Sequence, residues 1–340
     1  MSSTTVFVSG ATGFIAQHLI KKLIAKGYNV IGTVRSTEKG DALKKNLNSD
    51  KFQYAIVRDI QVEGAFNEVF KNHPEISIVL HTASPFTFNV TDPEKDLLIP
   101  AVEGTKNALN AVIEYAPQVT NVVVTSSYAA IADWGKEYDN SVTFDESSWN
   151  PMTWEDSKAN ALTGYIGSKS FAEKAAWEIM ETKKPHFTLT TVNPIYVFGP
   201  QAFDSEVKDT LNTSAEVINS ILKLREGDEI PAHSAGFVDV RDVAAAHIVA
   251  FENREAACKR LILHTDRFSS QGVLDILNEN FPALKGKLPV GKPGTSKEDT
   301  DKLATINNDF TRKVLGFKFI DFKKCIVDSV EQVLAVNGSI

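Results

Sequence analysis

Short apolar, β-branched runs alternate along the first half of this chain with stretches whose apolar positions recur at helical spacing. The run TVFVSG (5–10) reads as a buried strand ending in a turn. FIAQHLIKKLIAKG (14–27) then puts Ile15, Leu19 and Leu23 on one helical face and stops at Gly27, a residue suited to the position after a helix. Further strands are predicted at YNVIGTVR (28–35), FQYAIVRDI (52–60), ISIVLHTAS (76–84), NVVVTSS (121–127), FTLTTVNP (187–194) and RLILHT (260–265). Helices are predicted between them, among them 97–115 and 161–182. Runs such as VVV and IVL do not alternate with polar residues, so these strands are buried on both faces. Strand–helix alternation of this kind implies right-handed crossovers and an α/β architecture, a doubly wound parallel sheet of about seven strands.

The rhythm changes after Pro194. Residues 195–236 read as a loop, a helix around 214–226 and a proline-containing turn, and 239–252 as another helix on the sheet. Residues 266–340 read as helices and loops, with a Gly/Pro-rich stretch at 286–294 and a polar loop at 291–302. Two units are expected: residues 1–194 plus 237–265 carry the sheet, and residues 195–236 plus 266–340 form a smaller, discontinuous, mostly helical lobe over its C-terminal edge. No internal repeat is present, and 340 residues suffice for this arrangement.

Composition removes several classes of partner. An apolar fraction of 43% and a charged fraction of 23% are ordinary for a soluble globular protein. A formal net charge of −7 argues against nucleic acid and against an anionic membrane surface. Cys258 and Cys325 lack the spacing of metal ligands, and the seven histidines form no H-x-x-H pattern, so no metal site is expected. The N-terminus has neither the basic nor the long apolar region of a signal peptide, and no stretch has the length of a membrane span. A cytoplasmic location with reduced thiols is expected. The sequons at Asn89, Asn212 and Asn337 carry little weight in that setting.

The stretch SGATGFIA (9–16) follows the first strand and opens the first helix. Gly10 allows a tight turn, Gly13 removes a Cβ where a pyrophosphate approaches, and Ala16 keeps helix and strand close. The helix N-terminus offers free N–H groups and a favourable dipole to phosphate. A dinucleotide is therefore expected on a Rossmann-type sheet. At the end of the second strand an NAD site usually has an acidic residue, but here Arg35 stands there, followed by Ser36 and Lys39. Cations at that place suit a 2′-phosphate, hence NADPH/NADP+. Asp59 after the third strand is either an acceptor for the adenine amino group or a turn-forming residue.

Ser126 and Ser127 end the fifth predicted strand, where ligands of open parallel sheets bind. Tyr165 and Lys169 fall one turn apart on the next long helix, roughly 5–6 Å apart at Cβ. An ammonium near a phenol stabilises the phenolate and lowers a pKa that starts at about 10, making a better proton donor. Gly164, Gly167 and Ser168 leave space for a cofactor ring and for close packing.

The blocks VSGATGFIAQH, HTASP, VVVTSSYAA, YIGSKSFAEKAAWE, TVNPIYVFGPQ and FVDVRDVAAAH, in this order and spanning nearly the whole chain, resemble the extended short-chain dehydrogenase/reductases. Within them the chain is similar to the dihydroflavonol-reductase-like branch, which includes fungal aldehyde and carbonyl reductases. Ser9 stands where Thr is frequent in that family, and Ala16 where the third glycine is frequent. The resemblance implies NADPH-dependent reduction of aldehydes and ketones, such as α-ketoaldehydes (methylglyoxal), diketones and aryl ketones. It implies Tyr165 as proton donor, Lys169 on the nicotinamide ribose and tuning Tyr165, and Ser127 on the carbonyl oxygen. It implies Gly10, Ala11, Thr12, Gly13, Phe14, Ile15, Arg35 and Lys39 at the adenosine phosphates, and Asp59 and Ile60 at the adenine. Thr82, Ala83 and Ser84 would line the cofactor, and Pro194 and Val197 would flank the nicotinamide.

Aromatic residues after the strands are candidates for an apolar substrate pocket: Phe86, Phe88, Tyr128, Trp134, Tyr196, Phe198 and Phe237. Each one singly fits core packing as well. Two rival readings use the same scaffold, a nucleotide-sugar epimerase and an NADP(H)-binding redox sensor without turnover. Arg35 disfavours the first, and the presence of both Tyr165 and Lys169 disfavours the second. The expected partner is a small carbonyl compound, acting on a monomer or homodimer.

Overall fold

The computed structural model describes residues 4–84 and 90–338. Its strands are β1 (Thr5–Ser9), β2 (Asn29–Val34), β3 (Phe52–Ile56), β4 (Ile76–His81), β5 (Asn121–Thr125), β6 (Thr143–Phe144), β7 (Thr188–Pro194), β8 (Tyr196–Phe198), β9 (Ser234–Asp239), β10 (Arg260–Leu263), β11 (Asp266–Ser269) and β12 (Thr305–Ile306). Its α-helices are α1 (Phe14–Ala25), α2 (Thr37–Leu47), α3 (Asn67–Asn72), α4 (Ile99–Tyr115), α5 (Ala161–Lys183), α6 (Thr213–Leu222), α7 (Val240–Glu252), α8 (Ser270–Asn280), α9 (Ser296–Thr300), α10 (Asp309–Leu315) and α11 (Phe322–Val336).

Seven strands form one parallel sheet in the order β10-β7-β5-β4-β1-β2-β3. They are the seven that the apolar runs predict. The direction of winding reverses between β1 and β4, so a cleft opens beyond Ser9 and His81, which pair at the end of that ladder. Leu19, Ile20 and Leu23 of α1 and Val243 and Ala244 of α7 cover one face. Leu109 and Val112 of α4 and Ala176 and Ile179 of α5 cover the other. Each fully buried Leu or Ile contributes about 1.5–3 kcal/mol relative to exposure. The strands end earlier than their apolar runs, so Thr82–Ser84 and Ser126–Ser127 leave the sheet and enter the cleft.

Three features depart from the sequence pattern. Residues 37–47, a polar stretch after Arg35, form α2, capped by the Ser36 hydroxyl accepting from the Lys39 N–H. Part of the polar segment 291–302 forms the short helix α9. A second sheet, β11-β9-β8, occupies stretches read as loop and turn. Its strands have three to six residues and pair across distant parts of the chain, so no local periodicity announces them. This sheet packs with α6, α8 and α11 around a third core containing Phe198, Phe237, Phe268 and Cys325. Phe237, expected at the substrate, is instead fully buried there, with ring centroids 6.0 Å from Phe198 and 5.0 Å from Phe322. Phe198 is likewise fully buried.

Both cysteines are free thiols. Among the described residues no helix is long and apolar enough to cross a membrane, and no cluster of three or more metal-ligating side chains is found.

Candidate active site

The turn off β1 requires glycine. Gly10 has φ +65°, and a Cβ there would meet the Ala83 Cα at 3.0 Å. The Gly10 N–H donates to Thr33 Oγ1 at 3.1 Å, and the Ala11 N–H to the Thr33 carbonyl at 2.8 Å, which locks the loop onto β2. Ala11 lies beneath the loop with no exposed surface. Gly13 begins α1 without a capping side chain, so the first-turn N–H groups of Phe14, Ile15 and Ala16 face the cleft that these residues line.

Ser9 joins the two strands at the winding reversal. Its hydroxyl accepts from the N–H groups of Thr82 at 3.0 Å and Ala83 at 2.9 Å, and bonds His81 Nδ1 at 2.9 Å. Thr82 returns a bond to the Ser9 carbonyl. Burial, with the Lys169 charge nearby, pushes the His81 imidazole down to about 4, so it is neutral at physiological pH; because Ser9 Oγ already accepts two N–H groups, its own O–H donates to Nδ1.

Three adjoining cavities run along the C-terminal edge of the sheet. The first is lined by Gly10, Thr12 and Gly13, by Thr82 to Ser84, by Ile60, and at its outer end by Arg35 and Lys39. The central one, about 260 Å³, runs from Gly13 to Ala16, past Ser127, Tyr165 and Lys169, to Pro194 and Val197. The third, about 190 Å³, shares Ser127 and Tyr165 with the central one and is walled by Tyr128, Trp134 and Tyr196. The structure thus brings most of the sequence-derived candidates into one groove. Asp59 stands apart: its exposed carboxylate accepts from the Gln61 N–H at 3.0 Å and from Gln61 Nε2 at 2.8 Å, the turn-forming role. Phe86 and Phe88 lie outside the described residues.

Helix α5 starts from a capping box. Asn160 accepts from the Thr163 N–H at 3.0 Å, and Thr163 Oγ1 accepts from the Asn160 N–H at 3.0 Å. This fixes the helix two residues before Tyr165. Tyr165 and Lys169, both half-buried, face the central cavity one turn apart. Gly164 and Gly167 face elsewhere. A Cβ on Gly164 would meet Pro93 Cβ at 2.7 Å, and one on Gly167 would meet Ser157 Oγ at 2.0 Å. Their missing side chains admit the neighbouring segments rather than a cofactor ring, because each residue along a helix turns the side chain by about 100°.

The two serines after β5 differ in role. Ser126 Oγ donates to Glu173 Oε2 at 2.5 Å and is held inside the fold. Ser127 Oγ accepts from the Ala129 N–H at 3.1 Å, and Ser127 and Tyr165 together line both the central and the third cavity. Burial raises the Tyr165 pKa, and the Ser127 hydroxyl opposes that rise. Lys169 Nζ lies over the Tyr165 ring, 5.7 Å from its centroid, and burial pushes its ammonium down to about 8. The lowering of the phenol expected from Lys169 is thus not the leading influence in this structure. The ammonium addresses the ring face, and the hydroxyl is addressed by Ser127.

In the third cavity burial raises the Tyr128 phenol far up and the Tyr196 phenol to about 12, so both stay neutral hydrogen-bonding groups. Leu162, Ile195, Thr213, Ser214 and Val217 complete its wall. Sequence reasoning missed these. The signal at Asn212-Thr213-Ser214 was a polar triplet ahead of an amphipathic run, the mark of a helix start, here the start of α6.

Comparison with known proteins places this geometry among relatives. Residues 6–262 match the model of the NAD dependent epimerase/dehydratase family. The chain is 52% identical over 341 residues to the NADPH-dependent methylglyoxal reductase Gre2 of Saccharomyces cerevisiae, covering 99% of this chain and 100% of that protein. It is similar to the crystal structure of yeast methylglyoxal/isovaleraldehyde reductase Gre2 complexed with NADPH, with a TM-score of 0.97, 52% identity and coverage of 99% and 100%. It is similar also to Gre2 from Candida albicans in complex with NADPH, with a TM-score of 0.95, 51% identity and coverage of 98% and 99%.

Proposed function

The chain belongs to the NAD dependent epimerase/dehydratase family, and we propose that it is an NADPH-dependent carbonyl reductase that converts aldehydes and ketones, α-ketoaldehydes such as methylglyoxal among them, to alcohols. The observation that carries this reading is the placement of Ser127 and Tyr165 together where the central and third cavities meet, with Lys169 beside them in the central one. Similarity to NADPH-dependent reductases over nearly the full length of the chain supports it.

The residues fit the cofactor. Gly10 leaves a cradle that a Cβ would fill, the first turn of α1 presents N–H groups, and Arg35 with Lys39 suits a 2′-phosphate. Residues 10–15 and Thr82–Ser84 would hold the pyrophosphate and its neighbours, Ile60 the adenine side, and Pro194 and Val197 the nicotinamide side. Bound NADPH supplies the hydride. Tyr165 donates its phenolic proton to the carbonyl oxygen, and Ser127 donates a hydrogen bond to the same oxygen, stabilising the charge that develops there. Lys169 would hold the ribose hydroxyls and contribute a positive field.

The third cavity, with its two neutral tyrosines and apolar walls, would take the substrate's substituents. Residues 195–236 and 266–340 would form the substrate lobe, since α6 supplies Thr213, Ser214 and Val217 to that wall. Two free thiols suit a reducing compartment such as the cytoplasm.

The test is NADPH oxidation with a panel of α-ketoaldehydes, diketones, simple aldehydes and aryl ketones. Turnover of the first two classes is expected. Binding of NADPH without turnover on any member would overturn the reading and mark a sensor.

A further inference from the structure

Glu173 lies one turn after Lys169 and two after Tyr165 on the same face of α5, with no exposed side-chain surface. Its carboxylate ties the helix to three strands of the sheet. Oε1 accepts from Arg260 Nε at 2.5 Å, at the start of β10, and lies 3.1 Å from Thr191 Oγ1 of β7. Oε2 accepts from Ser126 Oγ at 2.5 Å, at the end of β5, and from Asn193 Nδ2 at 2.6 Å, in β7. Trp177 Nε1, one turn further along α5, donates to Oε1 at 3.2 Å.

The network reaches Ser127 from both sides. Asn193 Nδ2 also donates to the Ser127 carbonyl at 3.1 Å, and Ser126 precedes it in the chain. Arg260 extends the tie to the loop that follows. Its Nη2 donates to the Ala130 carbonyl at 3.2 Å, and its Nη1 to the carbonyls of Glu146, at 3.1 Å, and Ser148. Its guanidinium stacks 3.7 Å from the Trp149 ring centroid.

A buried ion pair is a poor device for stability alone, because apolar residues of equal volume hold a helix to a sheet as well or better. What an apolar pair does not do is orient the Ser126–Ser127 peptide and the Asn193 amide. Tyr165 and Ser127 stand on different elements yet must meet one oxygen atom. A misplacement of about 1 Å between such groups costs on the order of 100-fold in rate. We propose that Glu173 is a positioning residue for carbonyl reduction: through Ser126, Asn193 and Arg260 it sets the place of the Ser127 hydroxyl relative to the Tyr165 phenol. This deepens the reductase reading and rests on it for its catalytic consequence, while its geometric content is testable without turnover.

The variant is Glu173→Gln, which keeps the volume and removes the charge. Its primary readout is the ultraviolet titration of Tyr165, taken as the difference between each protein and its Tyr165→Phe counterpart. The Ser127 hydroxyl opposes the rise that burial gives the phenol, so a displaced Ser127 moves the Tyr165 midpoint upward. In steady state kcat falls about 10- to 100-fold, its decline at alkaline pH shifts upward with the phenol, and NADPH binds as in the wild type. Where Glu173→Gln does not fold, Asn193→Ala leaves the Glu173–Arg260 pair in place, cuts the tie to the Ser127 carbonyl and is expected to give the same pattern with smaller amplitude. An unchanged Tyr165 midpoint in the folded variant overturns the inference, whatever kcat does. Absence of turnover in the wild type overturns the reductase reading instead and leaves the titration to decide this one.

Discussion

Ser127, two residues past the end of a strand, and Tyr165, near the start of a long helix, meet at the junction of two cavities and line both. Burial raises the Tyr165 pKa and the Ser127 hydroxyl works against it. Reduction needs the phenol protonated, so activity is expected to persist to high pH and to fall only as pH rises through the elevated pKa. Ser127→Ala removes a donor aimed at the reacting oxygen and is expected to lower kcat about 100- to 1,000-fold. It also moves the alkaline decline to higher pH. A pH–rate profile of the variant checks both.

Lys169 gives a second pH dependence, which sets in at lower pH. Its folded pKa, about 8 against a usual 10.5, means the free protein holds the ammonium below pH 8 and loses it above. If the ammonium binds ribose hydroxyls, NADPH affinity weakens as pH rises through about 8. Lys169→Met is expected to bind NADPH more weakly at pH 7 and to lose that dependence. Isothermal titration from pH 6.5 to 9.5, about the range that brackets the midpoint, measures it.

Arg35 and Lys39 lie at the outer end of the first cavity, both exposed. A contact with a 2′-phosphate serves NADPH and not NADH. Arg35→Asp is expected to weaken NADPH by about 10-fold or more and to leave NADH nearly unchanged or improved, because an acid there suits a free ribose hydroxyl. Fluorescence titration with both cofactors checks this, and equal weakening of the two would refute the phosphate contact.

Phe237 is expected to behave as a core residue. Phe237→Ala removes a fully buried ring that stacks on Phe198 and touches Phe322, and should destabilise the protein by about 3–5 kcal/mol. Val217→Trp, by contrast, narrows the third cavity and should raise KM for aryl ketones while sparing methylglyoxal. Chemical denaturation of the first variant and a substrate panel on the second separate the two roles.

The features legible in the sequence are those whose residues are close along the chain. Gly10 and Gly13 stand three apart in one loop, Tyr165 and Lys169 one turn apart on one helix, and each strand of the main sheet is a single apolar run. What was not legible depends on residues distant in sequence. β8, β9 and β11 are short and gain their order from one another and from the third core. An aromatic residue such as Phe237 reads the same whether it faces a ligand or a core, and only the fold decides. Glu173 reads as one more charge on a helix until Ser126, Asn193 and Arg260 converge on it. The Tyr–Lys pair was legible, but the burial that raises the phenol and the opposing influence of Ser127 were not, because the fold brings Ser127 to it from 38 residues away in the chain.

The most direct test of the central claim is Tyr165→Phe, assayed for NADPH oxidation with methylglyoxal and for NADPH binding by fluorescence. Loss of the proton donor is expected to cut kcat by about 100- to 10,000-fold, with NADPH affinity nearly intact. A variant that reduces methylglyoxal at the wild-type rate would contradict the account.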